Sequence, residues 1–106
     1  MGAKLGYRQR IASSQVQVTW TPPSQTDLAE IRAYISEADP HAANKMIVRV
    51  VFAGNALEEL PNRGRPTALA DVRELVVSDT PYLLVYRVHQ DIVQILRVWH
   101  GAQDRG

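Results

Sequence analysis

The 106-residue chain contains no cysteine. That excludes a disulfide scaffold, a thiolate zinc site and a cysteine nucleophile. Long apolar runs are missing as well, with nothing approaching the roughly 18 residues that a membrane-spanning helix needs. The opening stretch MGAKLGYRQRIASSQ has no apolar secretory core, so the cytoplasm is the expected location. Chemistry-bearing motifs are scarce too. His41, His89 and His100 are too scattered for a metal-ligand spacing, and no GxSxG elbow or glycine-rich phosphate loop is present. No cofactor and no metal are therefore expected. Lysine is the last scarcity, at two residues against ten arginines. What remains is a chain with 45% hydrophobic and 22% charged residues, a composition that suits one globular domain.

The formal net charge of +1 conceals an uneven distribution. Residues 1–15 carry Lys4, Arg8 and Arg10 and no acid, and read as a basic, mobile N-terminal arm preceding a domain over 16–106. Residues 16–61 are acidic, and arginine returns from residue 62 onward.

Residues 16–20 alternate apolar and polar side chains, the pattern of a short strand. Thr21 before Pro22-Pro23 is an N-cap followed by a first-turn proline, although Ser24 offers a second possible start. Leu28, Ile31 and Ile35 then form one apolar stripe, with Asp27, Glu30, Arg32 and Glu37 largely off it. Asp39-Pro40 repeats the start signal, and a second helix is expected over 40–60, stopped by Pro61. Its buried face reads Ala43, Ile47, Val50, Gly54 and Leu57. After turn chemistry over 62–66, β-formers mark strands at 72–77, 82–88 and 92–100. Connections this short require antiparallel neighbours. The expected fold is α+β, in the order β-α-α-β-β-β, with a helical hairpin packed on a curved antiparallel sheet.

The residues with most chemical potential are arginines. Arg63 and Arg65 lie in the turn entering the sheet, Arg73, Arg87 and Arg97 lie on three successive strands, and His100 ends the last. Arginine's fixed charge and planar fork suit carboxylates, phosphates and stacked rings. Gathered on one face, these residues would bind an acidic partner; a merely solvated sheet face would carry the same arginines, their stems covering apolar surface. His100 is a candidate general acid or base, or a strand-end hydrogen-bonding residue. Trp99 and Tyr86 suit packing, with base stacking as the alternative.

The runs Thr26-Asp27-Leu28-Ala29-Glu30-Ile31-Arg32-Ala33-Tyr34-Ile35, Asp39-Pro40-His41-Ala42-Ala43 and Gly64-Arg65-Pro66 resemble the RelE/ParE superfamily of bacterial toxins. So do Arg73-Glu74-Leu75, Pro81-Tyr82, Val85-Tyr86-Arg87-Val88 and the ending Ile95-Leu96-Arg97-Val98-Trp99-His100-Gly101. These motifs occur in family order across residues 16–101. The resemblance implies the toxin of a type II toxin–antitoxin module, neutralised by a cognate antitoxin, with no direct DNA binding in the antitoxin's absence. ParE-like members inhibit DNA gyrase; RelE-like members cleave mRNA on the ribosome.

The ending from Tyr86 to His100 is closer to ParE. RelE's paired lysines have no match, since Lys45 stands alone; RelE's central-strand arginine falls near Leu83, and its late tyrosine is missing. Gyrase inhibition by binding is therefore the expected activity, with Arg63, Arg65, Arg73, Arg87 and Arg97 gripping target or antitoxin. The alternative is a ribosome-dependent mRNA endonuclease of RelE or YoeB type, using Arg65, Arg73, Arg87, Arg97 and His100, with Glu58 or Glu59 as loose candidates for a base. A third reading is a non-toxic binding module or corepressor acting with its antitoxin.

Overall fold

A computed structural model describes residues 16–101 of the chain; the expected N-terminal arm over 1–15 and residues 102–106 lie outside them. The elements are β1 (Gln17–Trp20), α1 (Pro22–Ala38), α2 (Pro40–Asn55), β2 (Arg65–Pro66), β3 (Val72–Val76), β4 (Tyr82–His89) and β5 (Ile92–His100). A 3-10 turn, Ala56–Glu58, follows α2.

Both helix starts obey their local chemistry. Thr21, not Ser24, caps α1: its Oγ1 accepts from Ser24 N–H at 3.3 Å and donates to the Ile95 carbonyl at 2.8 Å. The cap thus ties the helix start to β5. One extended residue separates α1 from α2. Asp39 donates its N–H to Ile35 O, ending α1, while its Oδ1 accepts from His41 and Ala42 N–H at 3.0 and 3.1 Å. Pro40 fits the first position of α2 because no intrahelical partner awaits its missing N–H. The second helix stops at Asn55 rather than running to residue 60; the chain tightens into the 3-10 turn, a frequent ending for helices, and buries Leu57 there. Just before that point Gly54 lies against the Trp20 ring, where a Cβ would come within 2.4 Å of Cζ2. The neighbouring Asn55 Oδ1 accepts from Trp20 Nε1 at 2.9 Å.

The sheet has the order β1-β5-β4-β3-β2. The meander β3-β4-β5 is antiparallel, as its short connections require. The wholly antiparallel expectation fails at the edge, because β1 pairs parallel with β5, Gln17 opposite Ile92 and Trp20 opposite Ile95. The chain between these two strands contains both helices and the rest of the sheet, so no tight turn dictates their direction. The sheet is therefore mixed. Residues 65–66, read as turn, form the two-residue β2, paired antiparallel with Arg73 and Glu74.

Val50, Leu57, Tyr82, Leu84, Tyr86, Val93, Ile95 and Val98 pack between the helices and the sheet. Each such side chain contributes about 1.5–3 kcal/mol on burial. The opposite face carries no helix among the described residues, yet Val72, Leu83 and Val85 are buried there against Leu96 and Trp99. A register shift between Val85 and Tyr86 sets these faces: Tyr86 pairs with Ile95, Val85 with Arg97, and Leu96 is the extra residue. The bulge lets Ile95 and Val98 both enter the core while Arg97 joins the row of Val85. No helix among the described residues is long and apolar enough to cross a membrane.

Candidate functional site

Pairing rows divide five of the six predicted site residues between two faces. On the helix-free face, one row runs Arg65–Glu74–Val85–Arg97 and the next runs Val72–Arg87–Gln94. Arg73 pairs with the core residue Tyr86, and His100 with the core residue Tyr82, so both belong to the helix-covered face. Arg63 lies beside neither row; it lines a groove between α2 and β3. Arg65, Arg87 and Arg97 thus share a face, and Arg63, Arg73 and His100 stand apart from it.

Each cation has its own local economy. Arg65 grips Glu74, Nη2 to Oε1 at 3.0 Å. Arg97 is held most firmly: Nε and Nη2 donate to the two Asp27 oxygens at 2.8 and 2.9 Å. Its guanidinium also lies 5.7 Å from the Trp99 ring centroid, a cation–π distance. Arg87, exposed on β4, has neither an ion pair nor a side-chain hydrogen bond among the described residues. His100 meets the Tyr82 ring edge-on, centroids 5.6 Å apart.

Asp27 corrects the sequence reading. The sequence pattern sets it largely off the apolar stripe of α1, but it is buried, 8% exposed. Besides the two guanidinium bonds, Oδ2 accepts the Val98 backbone N–H at 2.9 Å. Where β5 runs past the end of β1, this carboxylate takes the place of a strand partner. Burial alone would raise the Asp27 pKa; the Arg97 hydrogen bond, the Val98 N–H and the guanidinium charge outweigh it and hold the carboxyl below its ordinary range. The spacing held a signal, since Asp27 lies four residues before Ile31, on the same helical face.

Arg73 and Tyr86 build the loop that presents Arg63 and Arg65. The Tyr86 hydroxyl accepts from Gly64 N–H and donates to Pro61 O, both at 2.8 Å. Arg73 Nη1 donates to Gly64 O at 2.6 Å and Asn62 O at 3.2 Å. Glycine is required in this clamp, because a Cβ at position 64 would meet Glu74 O at 2.7 Å and the Tyr86 ring at 2.8 Å. Burial raises the Tyr86 pKa, partly offset by the Gly64 N–H and the charges of Arg73 and Arg63. Arg73 therefore holds backbone carbonyls, and its position is that of a loop-positioning residue.

The family profile described as "ParE toxin of type II toxin-antitoxin system, parDE" matches residues 18–105. The chain is 44% identical over 87 residues to Toxin RelE2 of Caulobacter vibrioides, covering 82% of this chain and 97% of that protein. Toxin RelE3 of the same organism is 31% identical over 86 residues, with 79% and 92% covered. Among solved structures, a chain from the chromosomal ParDE TA system from P. aeruginosa superposes with a TM-score of 0.72 at 28% identity, covering 80% of this chain and 95% of that one.

Proposed function

The chain belongs to the ParE toxin family of type II toxin–antitoxin systems, and from that premise we propose that it disables DNA gyrase by binding, with no bond-breaking chemistry of its own. It is a toxin-family protein, and a cognate antitoxin is its implied partner. The observation that carries the gyrase reading is the division of the arginine–histidine set. A nuclease using Arg65, Arg73, Arg87, Arg97 and His100 together needs them around one scissile phosphate. Here Arg73 is committed to the carbonyls of Asn62 and Gly64, Arg97 to Asp27, and His100 pairs with Tyr82 on the opposite face from Arg87. What the helix-free face offers is a binding surface: Arg87 exposed in the middle, Arg65 and Arg97 in the adjoining row, and a Trp99–Arg97 pair at one side. The site of action under this reading is the cytoplasm.

Purified toxin is expected to block gyrase supercoiling at concentrations that leave ribosome-bound mRNA intact. Codon-phased mRNA cleavage with unimpaired supercoiling would overturn the proposal.

The second reading, a ribosome-dependent mRNA endonuclease, is favoured by the names of similar proteins, Toxin RelE2 and Toxin RelE3. Under it, Arg87→Ala and His100→Ala abolish cleavage while the fold survives. Cleavage persisting in both variants would remove these residues from that role.

A further inference from the structure

The sheet order leaves β1 as an edge strand, paired with β5 on one side only. Gln17 N–H bonds Asp91 O and Thr21 N–H bonds Ile95 O, so the odd-numbered residues turn their backbone groups toward β5. The even-numbered residues turn theirs outward. Gln25 Nε2 donates to one of these groups, Trp20 O, at 2.8 Å. The N–H and C=O of Val18 have no backbone partner among the described residues.

An edge of this kind is ordinarily blunted by lysine, proline, an inward-pointing charge or a bulge. The stretch Val16–Trp20 holds none of them. It is the one uncharged stretch of strand among the described residues, since β2, β3, β4 and β5 each carry an arginine. Its two faces also differ. Val16, Val18 and Trp20 lie half-buried against the core on the helix-covered face, whereas Gln17 and Thr19 alternate with them and are exposed.

This pattern is symmetric about Val18. Laid antiparallel on a copy of itself with Val18 at the centre, the strand brings Val18 against Val18, Val16 against Trp20 and Gln17 against Thr19. Apolar side chains then meet apolar ones on the helix-covered side, and an amide meets a hydroxyl on the other; cross-strand pairs of these kinds stabilise a sheet. Val18 exchanges both backbone bonds with its counterpart, and Trp20 N–H reaches Val16 O.

We propose that β1 is a self-association edge, at which a second copy of this chain pairs antiparallel about Val18 and continues the sheet across a two-fold axis. Charge and symmetry select the occupant. An acidic or basic segment finds no opposite charge along Val16–Trp20, while a second copy supplies the same neutral alternation in register. The axis stands perpendicular to the sheet, so both helix-free faces lie on one side of it. Each face brings its exposed Arg87, with Arg65 and Arg97 in the adjoining row. The doubled surface engages a target of matching symmetry at two points together, whichever target the toxin disables. The pairing is short, because Thr21 caps α1 immediately beyond it, and the association is therefore reversible.

The test is sedimentation of the full-length toxin without antitoxin, carried up to about 200 µM. A monomer–dimer equilibrium is expected, with exchange of the Val18 amide slowing as the dimer fills. Gln17→Lys combined with Thr19→Lys sets lysine against lysine twice across the axis and is expected to weaken the dimer by about tenfold or more. Gln17→Lys combined with Thr19→Glu sets lysine against glutamate and is expected to bring it back to within about threefold of wild type. Val18→Pro removes the outward N–H, leaves the β1–β5 ladder intact and is expected to weaken the dimer by about tenfold or more. The paired exposed substitutions carry the test should Val18→Pro fail to fold. A monomer at every concentration would overturn the proposal. So would a Val18 amide equally protected throughout, which would assign the edge to another segment of the same chain. A dimer unmoved by the paired lysines and by Val18→Pro would place the contact on a different surface and overturn it too. A lysine–glutamate variant as weak as the lysine–lysine one would overturn the pairing about Val18.

Discussion

The two sides of the sheet are finished differently. On the β5 side, where β1 stops at Trp20, the exposed stretch of strand is completed from within. Thr21 Oγ1 takes the Ile95 carbonyl, and the Asp27 carboxylate takes the Val98 N–H together with Arg97. On the β3 side the two-residue β2 stops at Glu74. Asp71 O and Val77 N–H bond β4, so Val76 is left with outward polar groups beside an apolar groove. The difference teaches how to sort the polar groups of this small domain. Where the chain spends a buried charge to satisfy an edge, the edge belongs to the fold. Where it leaves donor, acceptor and arginines turned outward, the surface is suited to a partner.

The comparison is broken most severely by Asp27→Ala, which leaves the Val98 N–H without its acceptor and takes the carboxylate from Arg97. A loss of about 2 kcal/mol or more in urea unfolding is expected, since the buried Val98 N–H is left without an acceptor and a charge-assisted pair with the half-exposed Arg97 is lost. A loss below about 1 kcal/mol would show that the β5 edge does not depend on the carboxylate.

The same group carries a pH signature. Its folded pKa lies below the ordinary value, so its stabilisation is complete above the unfolded pKa near 3.9 and is lost as pH falls through the lower folded value. The stability gap between wild type and Asp27→Ala is therefore expected to be full at neutral pH and to narrow below about pH 4. A gap independent of pH would contradict the charged pairing.

On the other side, Tyr86→Phe removes the hydroxyl that holds Gly64 N–H and Pro61 O. A loss of about 1–2 kcal/mol is expected, with faster amide exchange at Gly64. The smallest effect belongs to Glu74→Ala, which releases a solvent-exposed Arg65 pair and is expected to cost about 0.5 kcal/mol or less in thermal unfolding.

Much of this architecture is legible in the sequence because it is local. Thr21-Pro22 and Asp39-Pro40 announce helix starts through side-chain chemistry within three residues, and the meander follows from short connections between β-rich runs. What escapes is set by contacts distant in sequence. The direction of β1 depends on a partner over seventy residues away, Gln17 opposite Ile92. The extra residue Leu96 leaves no compositional trace, yet it decides that Ile95 and Arg97, two residues apart, lie on opposite faces. The arginines of β3, β4 and β5 look equivalent in the linear sequence; only pairing separates Arg73, which clamps a loop, from Arg87, which stands on the open face. Asp27 is missed for the same reason: it lies four residues before Ile31, but the sequence reading sets it largely off the apolar stripe, and its partners Arg97 and Val98 are about seventy residues away.

Residue-resolved hydrogen exchange at Val98 and Val76 in the free toxin tests the contrast most directly. The account predicts a Val98 amide protected through Asp27, and a Val76 amide that exchanges rapidly. A Val76 amide protected in the free chain, or a Val98 amide that exchanges as fast as Val76, would contradict it.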